Sequence, residues 1–456
     1  MVKREGLVDK LVVTADGSGQ VGHAGSALLV GTADRLGLTR VLSGAMAGTR
    51  KRRSAHDPGV VLRDLAVMLA DGGGCLGDLG ALRDQLDLYG NVASDSTAFR
   101  VLDSIDEQGL SRLRAAVAVT RARAWRLGAR PERMAARKDE RRERTVLDID
   151  ATLTSAHSEK EQAAGNFKGG YGHHPLLCYL DDSEEALAGV LRPGNAGSNT
   201  AADHKAVLDL ALGQLDPEAL AGEILVRGDG AGATHELCVY CREGNMRFSF
   251  GFDLTEPVLE AIRQLPERQW VKAIRADASE REHSQVCEIT DHVDLSSWPE
   301  RSRLIARRTK LKEGDQQSFA DLDGYRLAVF ITDQPGEDIS QLDLDHRGHA
   351  RVEDRIRQGK DCGLRNLPFK SFAHNQVWLW LVQLAQDLIA WTKQLCLADQ
   401  ARSWELKRLR YRLLHQAGRI ARHARRTTLR LAKDWPWSGE LAAAFARLQA
   451  LPAPTG

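Results

Sequence analysis

The sequence predicts an α/β fold flanked by helical N- and C-terminal regions. Three observations carry that reading. Short apolar runs of strand length alternate with helical patterns from about residue 145 onward. Helix-start and helix-stop signals fill the first 140 residues. From about Phe372 the apolar positions return to helical spacing, first rich in tryptophan and then in arginine.

Residues 1–140 read as a helical DNA-binding domain. The segment opens on the apolar run Leu11-Val12-Val13, continues in a helix near 27–36, and passes through the basic Arg50-Lys51-Arg52-Arg53. Asp57-Pro58 starts the next helix, because aspartate caps free N–H groups and proline suits the first helical position. Its apolar positions are Val60, Val61, Leu62, Leu65, Met68 and Leu69, and Gly72-Gly73-Gly74 ends it. A helix over 76–86 leads to a break at Gly90-Asn91. Ser94-Asp95-Ser96-Thr97 then caps a helix carrying Phe99, Val101, Leu102 and Ile105. Helix, short turn and capped helix outline a helix-turn-helix. An ordinary helical bundle accounts for the same residues.

The charge-dense stretch 129–144 marks a domain boundary. Beyond it, strands are expected over 146–149, 175–180 and 187–191, then a helix over 201–215 and a strand over 224–226. Three short strands, a helix and a fourth strand match the order of a ribonuclease-H-like catalytic core, assigned to 141–245 and 340–400. Residues 246–339 are too long for a loop in a compact domain and contain strand-like runs, among them 246–252 and 325–331. They read as a β-rich insertion domain. Residues 401–456 form a basic C-terminal region, expected to be helical and to serve DNA binding or dimerisation; a solvated helix surface is the plain alternative. Its cations include Lys407, Arg408, Arg410, Arg412, Arg419, Arg422, Arg425, Arg426 and Arg430.

Composition narrows the class. The chain has 456 residues, 43% hydrophobic and 27% charged, as in soluble globular proteins. Its 63 basic and 62 acidic residues leave a net charge of +1, so only local charge can argue for nucleic acid. Seven cysteines without a regular framework point to reduced thiols and a cytoplasmic setting. No apolar leader follows Met1. The best membrane candidate, 377–390, is interrupted by Gln383, Gln386 and Asp387.

Three acidic residues sit in contexts that suit catalysis. Asp150 ends the run Val146-Leu147-Asp148-Ile149-Asp150, Asp229 follows Ile224-Leu225-Val226-Arg227-Gly228, and Glu353 lies in a helical segment over 346–360. Any one strand-end aspartate is more often a turn former. Together, two strand-end aspartates and a helix-borne glutamate can hold two Mg²⁺ or Mn²⁺ ions for phosphoryl transfer. Asp148 is an auxiliary candidate, because residues two apart in a strand share a face. Positions 346, 349, 353 and 360 form one helical stripe of His346, His349, Glu353 and Lys360. Arg347, Arg351 and Arg355 repeat every four residues beside it, a basic stripe suited to phosphates. A solvated, salt-bridged helix would show the same charge pattern.

Other motifs are weaker. His235-x2-Cys238-x2-Cys241 lacks a nearby fourth zinc ligand, and buried cysteines explain it better. His173-His174, before a strand, reads as a turn, with a role near DNA as the alternative. Gly194-Asn195-Ala196-Gly197-Ser198 lacks the Lys-Ser/Thr of a phosphate-binding loop. Trp378, Trp380 and Trp391 read as core or dimer packing rather than base-stacking residues.

Taken together, these motifs resemble a bacterial insertion-sequence DDE transposase of the transposase DDE domain group 1 type. Such proteins carry a Tyr-x2-Arg-x3-Glu-x6-Lys signature, in which Glu353 and Lys360 match while His346 and His349 replace Tyr and Arg. The blocks Leu147-Asp148-Ile149-Asp150-Ala151-Thr152, Gly169 to Leu177, Val226-Arg227-Gly228-Asp229 and Arg247 to Phe252 extend the resemblance over about 145–435. It implies metal-dependent cleavage at terminal inverted repeats of an insertion sequence, and joining of the 3′-OH ends to target DNA. Asp150, Asp229 and Glu353 would be the catalytic ligands of two Mg²⁺ or Mn²⁺ ions. DNA contacts would fall to His346, His349, Lys360, Arg347, Arg351, Arg355, Arg422, Arg425 and Arg426. It further implies double-stranded DNA as partner, a homodimer in the DNA complex, and a cytoplasmic, nucleoid-associated setting. Two other classes stay open: a catalytically inactive DNA-binding regulator, and a structure-specific nuclease.

Overall fold

A computed structural model describes residues 8, 11–49, 55–130, 144–156, 159–197, 200–312, 314, 316, 321–336, 338–424 and 426–454. The basic run 50–53, most of the charged stretch 129–144, Ser198 and Arg425 lie outside the described residues.

The N-terminal region is helical: α1 (Ala27–Leu36), α2 (Leu38–Ala45), α3 (Pro58–Asp71), α4 (Asp95–Asp103) and α5 (Glu107–Ala124). Local chemistry sets the ends of α3. The Asp57 carboxylate accepts from the Gly59 and Val60 amides, and Gly72 closes the helix at φ 118°, a conformation glycine adopts without strain. Ser94 and Asp106 cap α4 and α5 in the same way. The single helix expected over 76–86 is instead a 3₁₀ turn, Leu76–Leu79, and two four-residue helices, Gly80–Arg83 and Leu86–Tyr89. The Asp78 carboxylate accepts from the Gly74 and Cys75 amides and starts this broken path.

One large mixed sheet follows. Its main strands are β1 (Arg144–Ala151), β2 (Leu176–Leu180), β3 (Ala186–Val190), β4 (Glu223–Gly228) and β5 (Met246–Phe252). The others are β6 (Val271–Ile274), β7 (Glu280–Glu288), β8 (Arg303–Lys310) and β9 (Tyr325–Thr332). The order across the sheet is β6-β7-β8-β9-β5-β4-β1-β2-β3. β1 pairs antiparallel with β2 and parallel with β4, and β4 pairs parallel with β5. Between β3 and β4 runs α6 (Ala201–Leu212), and between β4 and β5 runs α7 (His235–Glu243).

Residues 246–339 do not build a sheet of their own. The segment 246–252 is β5, the parallel neighbour of β4, and β6 to β9 extend the same sheet antiparallel from it. An alternating pattern marks a strand but does not name its partner. A side cluster of Val258, Ile262, Trp270, Leu304 and Leu327 packs this extension separately from the main core.

After the sheet come α8 (Ile339–Arg347), α9 (Val352–Gly359) and α10 (Phe372–Cys396). α10 is buried over most of its length and packs against α3 and β3. Trp378 and Trp391 are fully buried there. Inside the core Arg121 of α5 donates to Glu185 and Asp387, and the Trp125 and Trp391 indoles donate to Glu185. A buried cation and two buried carboxylates thus satisfy one another where N-terminal helix, sheet and α10 meet.

The C-terminal region departs from the helical expectation. Gly418–His423 and Arg426–Leu431 form a β-hairpin, and Gln20–Val21 adds a third antiparallel strand to it. The sequence signal is alternation: Ile420, Leu429 and Leu431 share one face of the hairpin, with β-branched Thr427 and Thr428 in its second strand. A last helix, α11 (Ser438–Ala450), packs on α1 and α10. Among the described residues no single helix is long and apolar enough to cross a membrane.

Candidate active site

The site begins with the sheet register. Ile149 of β1 lies opposite Gly228 of β4, and the two strands run parallel. Asp150 and Asp229 are the next residues on each, so they sit side by side at the carboxyl ends of the strands, where parallel sheets place ligands. Glu353 lies in the first turn of α9, which packs on β1, and the positive end of the helix favours a carboxylate there. All three line one cavity of about 360 Å³, together with His174, His204 and His349.

Their electrostatics are unbalanced. Burial pushes the Asp150 carboxyl up, to about 6; His349 pulls it down, while the charges of Asp229 and Glu353 raise it further. Asp229 accepts from the Ala231 amide at 3.0 Å, and Asp150 from the Ala151 amide at 2.7 Å. These backbone contacts leave carboxylate oxygens for other ligands. An all-carboxylate set with excess negative charge fits a hard divalent cation.

The sequence matches the family model "Transposase DDE domain group 1" over residues 4–453. The chain belongs to this family. A member of it is an enzyme that cuts and joins DNA, and DDE transposases use divalent metal ions. No curated protein matches the chain. Among solved structures it is similar to piggyBac transposase in a synaptic complex with hairpin DNA, at 9% identity and a TM-score of 0.40, over 85% of this chain and 80% of that one. A likeness at that level carries no argument about the site.

In this member of the DDE family a buried ion network underlies the cavity. Arg227 holds Asp148 through two hydrogen bonds of 2.8 and 2.7 Å, reaches Asp181 at 2.8 Å, and donates to the Asp345 carbonyl at 2.7 Å. His349 Nδ1 is 3.0 Å from the same Asp148 carboxylate. Burial pushes Asp148 up, but Arg227 and His349 outweigh it and hold the carboxyl below its usual range. Asp148 therefore orients His349 and does not line the cavity itself. A methyl group at Gly348 would meet Arg227 Nη1 at 2.2 Å, so the chain needs glycine for this close approach.

The signature stripe is not one regular helix. A 3₁₀ turn, Gly348–Arg351, separates α8 from α9, and Lys360 opens a π-turn over Lys360–Leu364. His346 turns into the protein, stacking on Phe330 at 4.3 Å with Nδ1 3.0 Å from Ser249 Oγ. Burial holds its imidazole well below its usual range, so it brings no charge for a phosphate. The expected basic stripe is neutralised by carboxylates, one a turn earlier on α8 itself and two from the segment after β2. Arg347 pairs with Asp343 at 2.7 Å, Arg351 with Asp181, and Arg355 with Glu184 at 3.1 Å. Burial pushes the Lys360 amine down, with Arg365 and Lys168 adding to the shift.

In the C-terminal region Arg422 pairs with Asp87 at 2.7 Å. On the opposite hairpin face Arg419 stands across from Arg430, and His423 across from Arg426. All four are exposed, and no carboxylate pairs with the three arginines among the described residues. Like charges placed directly opposite destabilise a hairpin, so this face suits an external polyanion.

Sequence reading missed His204 and Lys168 at the cavity, which come from α6 and from the segment before β2. Neither carries a local signal. Cys238 and Cys241 are buried in α7, and His235 packs on Trp298, so that motif gathers no metal set.

Proposed function

We propose that the chain is an insertion-sequence transposase whose catalytic residues are Asp150, Asp229 and Glu353, with two Mg²⁺ or Mn²⁺ ions as cofactor. The observation that carries this reading is the register that seats the two aspartates together, with Glu353 on the same cavity. The order β3-β2-β1-β4-β5, with β1, β4 and β5 parallel, supports a ribonuclease-H-like core. When bound, the ions supply Lewis-acid activation of the attacking hydroxyl and stabilise the leaving oxygen.

The chain's own residues do the positioning. Asp150 and Asp229 set the spacing from the sheet, and Glu353 closes it from the helix. His349, held by Asp148, keeps a cationic donor beside Asp150. Lys168 at the cavity rim meets a DNA phosphate. In the first step water bonds to the phosphorus at the element's end, the bond to the 3′ oxygen breaks, and a 3′-OH and a 5′-phosphate form. In the second, the oxygen of that 3′-OH bonds to a target phosphorus, the bond from this phosphorus to the target's own 3′ oxygen breaks, and a target 3′-OH leaves with the proton. Two ends must be held together, which favours a homodimer in the DNA complex. Residues 1–140 are assigned to recognition of the terminal repeats, and the protein to the nucleoid.

Double-stranded DNA carrying the element's own ends, incubated with Mg²⁺, tests the assignment. Wild type should nick at the ends, and Glu353→Gln should lose on the order of 10³-fold in rate. Specific binding without cleavage, unchanged by the substitution, would instead favour a DNA-binding regulator. The hairpin gives a second expectation. Arg426→Ala with Arg430→Ala should weaken DNA binding and flatten its salt dependence by about one unit of slope per lost phosphate contact. Electrophoretic shifts at several salt concentrations measure this, and an unchanged slope would remove the hairpin from the DNA surface.

A further inference from the structure

A second polar cluster lies far in sequence from the carboxylate cavity. Asp71 is the last residue of α3, and its carboxylate is 5% exposed. The C-terminal end of a helix is electrostatically negative, so a buried carboxylate there needs a cation close by. Two imidazoles approach it. His23 Nδ1 is 2.5 Å from Asp71 Oδ2, and His415 Nε2 is 3.4 Å from Oδ1 and 2.8 Å from the Asp71 carbonyl oxygen. The two rings stack at 4.2 Å with 23° between their planes. Protonating both would bring two positive rings face to face; one divalent ion would satisfy two neutral imidazoles and the carboxylate together.

The surroundings are arranged around this cluster. Ser26 Oγ donates to Asp71 Oδ1, which leaves Oδ2 turned toward His23. Tyr89 Oη donates to the His23 carbonyl at 3.0 Å. His23 itself has φ 47°, the left-handed region that a non-glycine residue occupies at a cost of about 1 kcal/mol or more. His415 lines a separate cavity of about 500 Å³ with Tyr411, Gln416 and Trp435. The ligand atoms of His23, Asp71 and His415 all lie within 4.8 Å of one another. A tetrahedral ion with bonds of about 2 Å holds its ligands about 3.3 Å apart. Loading exchanges the contact between His415 and the Asp71 carbonyl for the ion.

We propose that His23, Asp71 and His415 form a Zn²⁺-class metal site with a fourth position open to that cavity. Two imidazoles and one carboxylate select a borderline transition metal, whereas the all-carboxylate cavity suits Mg²⁺. Its role is to fasten the basic hairpin to the body of the protein. Val21, two residues before His23, pairs with Gly418, three residues after His415, so the ion sits at the root of that three-stranded sheet. α3 supplies the anchor in the core.

The test uses the full chain, stripped with a chelator and titrated with Co²⁺ or Zn²⁺ alone. Wild type should bind one ion at this site, give visible Co²⁺ bands, and melt at higher temperature with Zn²⁺. His415→Ala and His23→Gln should weaken Co²⁺ binding at least about 100-fold and lose the Zn²⁺ shift. Glu353→Gln should leave the Co²⁺ bands in place, which separates this site from the carboxylate cavity. His23 is partly exposed, so its substitution is expected to fold, and circular dichroism checks that. The proposal fails if wild type gives no Co²⁺ bands, or if the bands survive both histidine substitutions.

Discussion

Asp150→Asn is expected to abolish DNA cleavage and, at the same time, to stabilise the metal-free protein. The catalytic loss follows from removing a ligand and should be on the order of 10³-fold. The stability gain follows from the sign of the shift. Burial, then Asp229 and Glu353, push the Asp150 carboxyl up to about 6 against the pull of His349, whereas an unfolded aspartate titrates near 3.9. Between those values the folded chain holds the proton and the unfolded chain has lost it. Stability from this group is therefore full below about pH 4 and lost as the pH rises through about 6. Asparagine stays neutral and keeps that stability, on the order of 2 kcal/mol at pH 7.5 without metal. Thermal melts at pH 7.5 and pH 4 measure it. The advantage should appear at the higher pH and vanish at the lower; equal melting temperatures at both would mean that the carboxylates are not strained against one another.

Arg227→Met should be the most destabilising single change around the site. Arg227 is fully buried and satisfies Asp148 and Asp181 at once. Methionine fills much of the volume but leaves two buried carboxylates short of their cation, which costs about 3–5 kcal/mol. Function should fall with it, because Asp148 would no longer be held as the anion that orients His349. Arg227→Lys restores the charge but not the two-pronged geometry, and should recover only part of either loss. Urea unfolding of the three proteins measures this. A loss below about 1 kcal/mol in the methionine variant would show that the network does not carry the floor of the cavity.

Local signals in the sequence were enough to mark β1, β2, β3 and β4, because each is a short apolar run between turn residues. The caps Asp57 and Ser94 likewise announced α3 and α4. Partnership was not legible. Met246–Phe252 carries the same alternation whether it starts an insertion or, as here, lies parallel to β4. The arginines at 347, 351 and 355 show their spacing in the sequence; Asp343, four residues before Arg347, is a local helix partner, whereas Asp181 and Glu184, the partners of Arg351 and Arg355, are fixed by tertiary structure. The stripe through His346 and His349 assumed an unbroken α-helix. The 3₁₀ turn at Gly348–Arg351 advances about 120° per residue instead of 100°, and His346 turns into the protein. The gathering of Asp150, Asp229 and Glu353 on one cavity needed the register of β1 against β4, which no local pattern contains.

The reading of those three carboxylates as the metal-dependent centre of a transposase is tested most directly by strand transfer. A labelled DNA end, already cut to expose its 3′-OH, is incubated with target plasmid and Mg²⁺, using wild type and Asp229→Asn. Covalent joining by wild type, lost in the variant and on chelation of the metal, is the predicted result. Joining that persists in Asp229→Asn would contradict the assignment of the site, and hydrolysis without any joining by wild type would make the protein a nuclease.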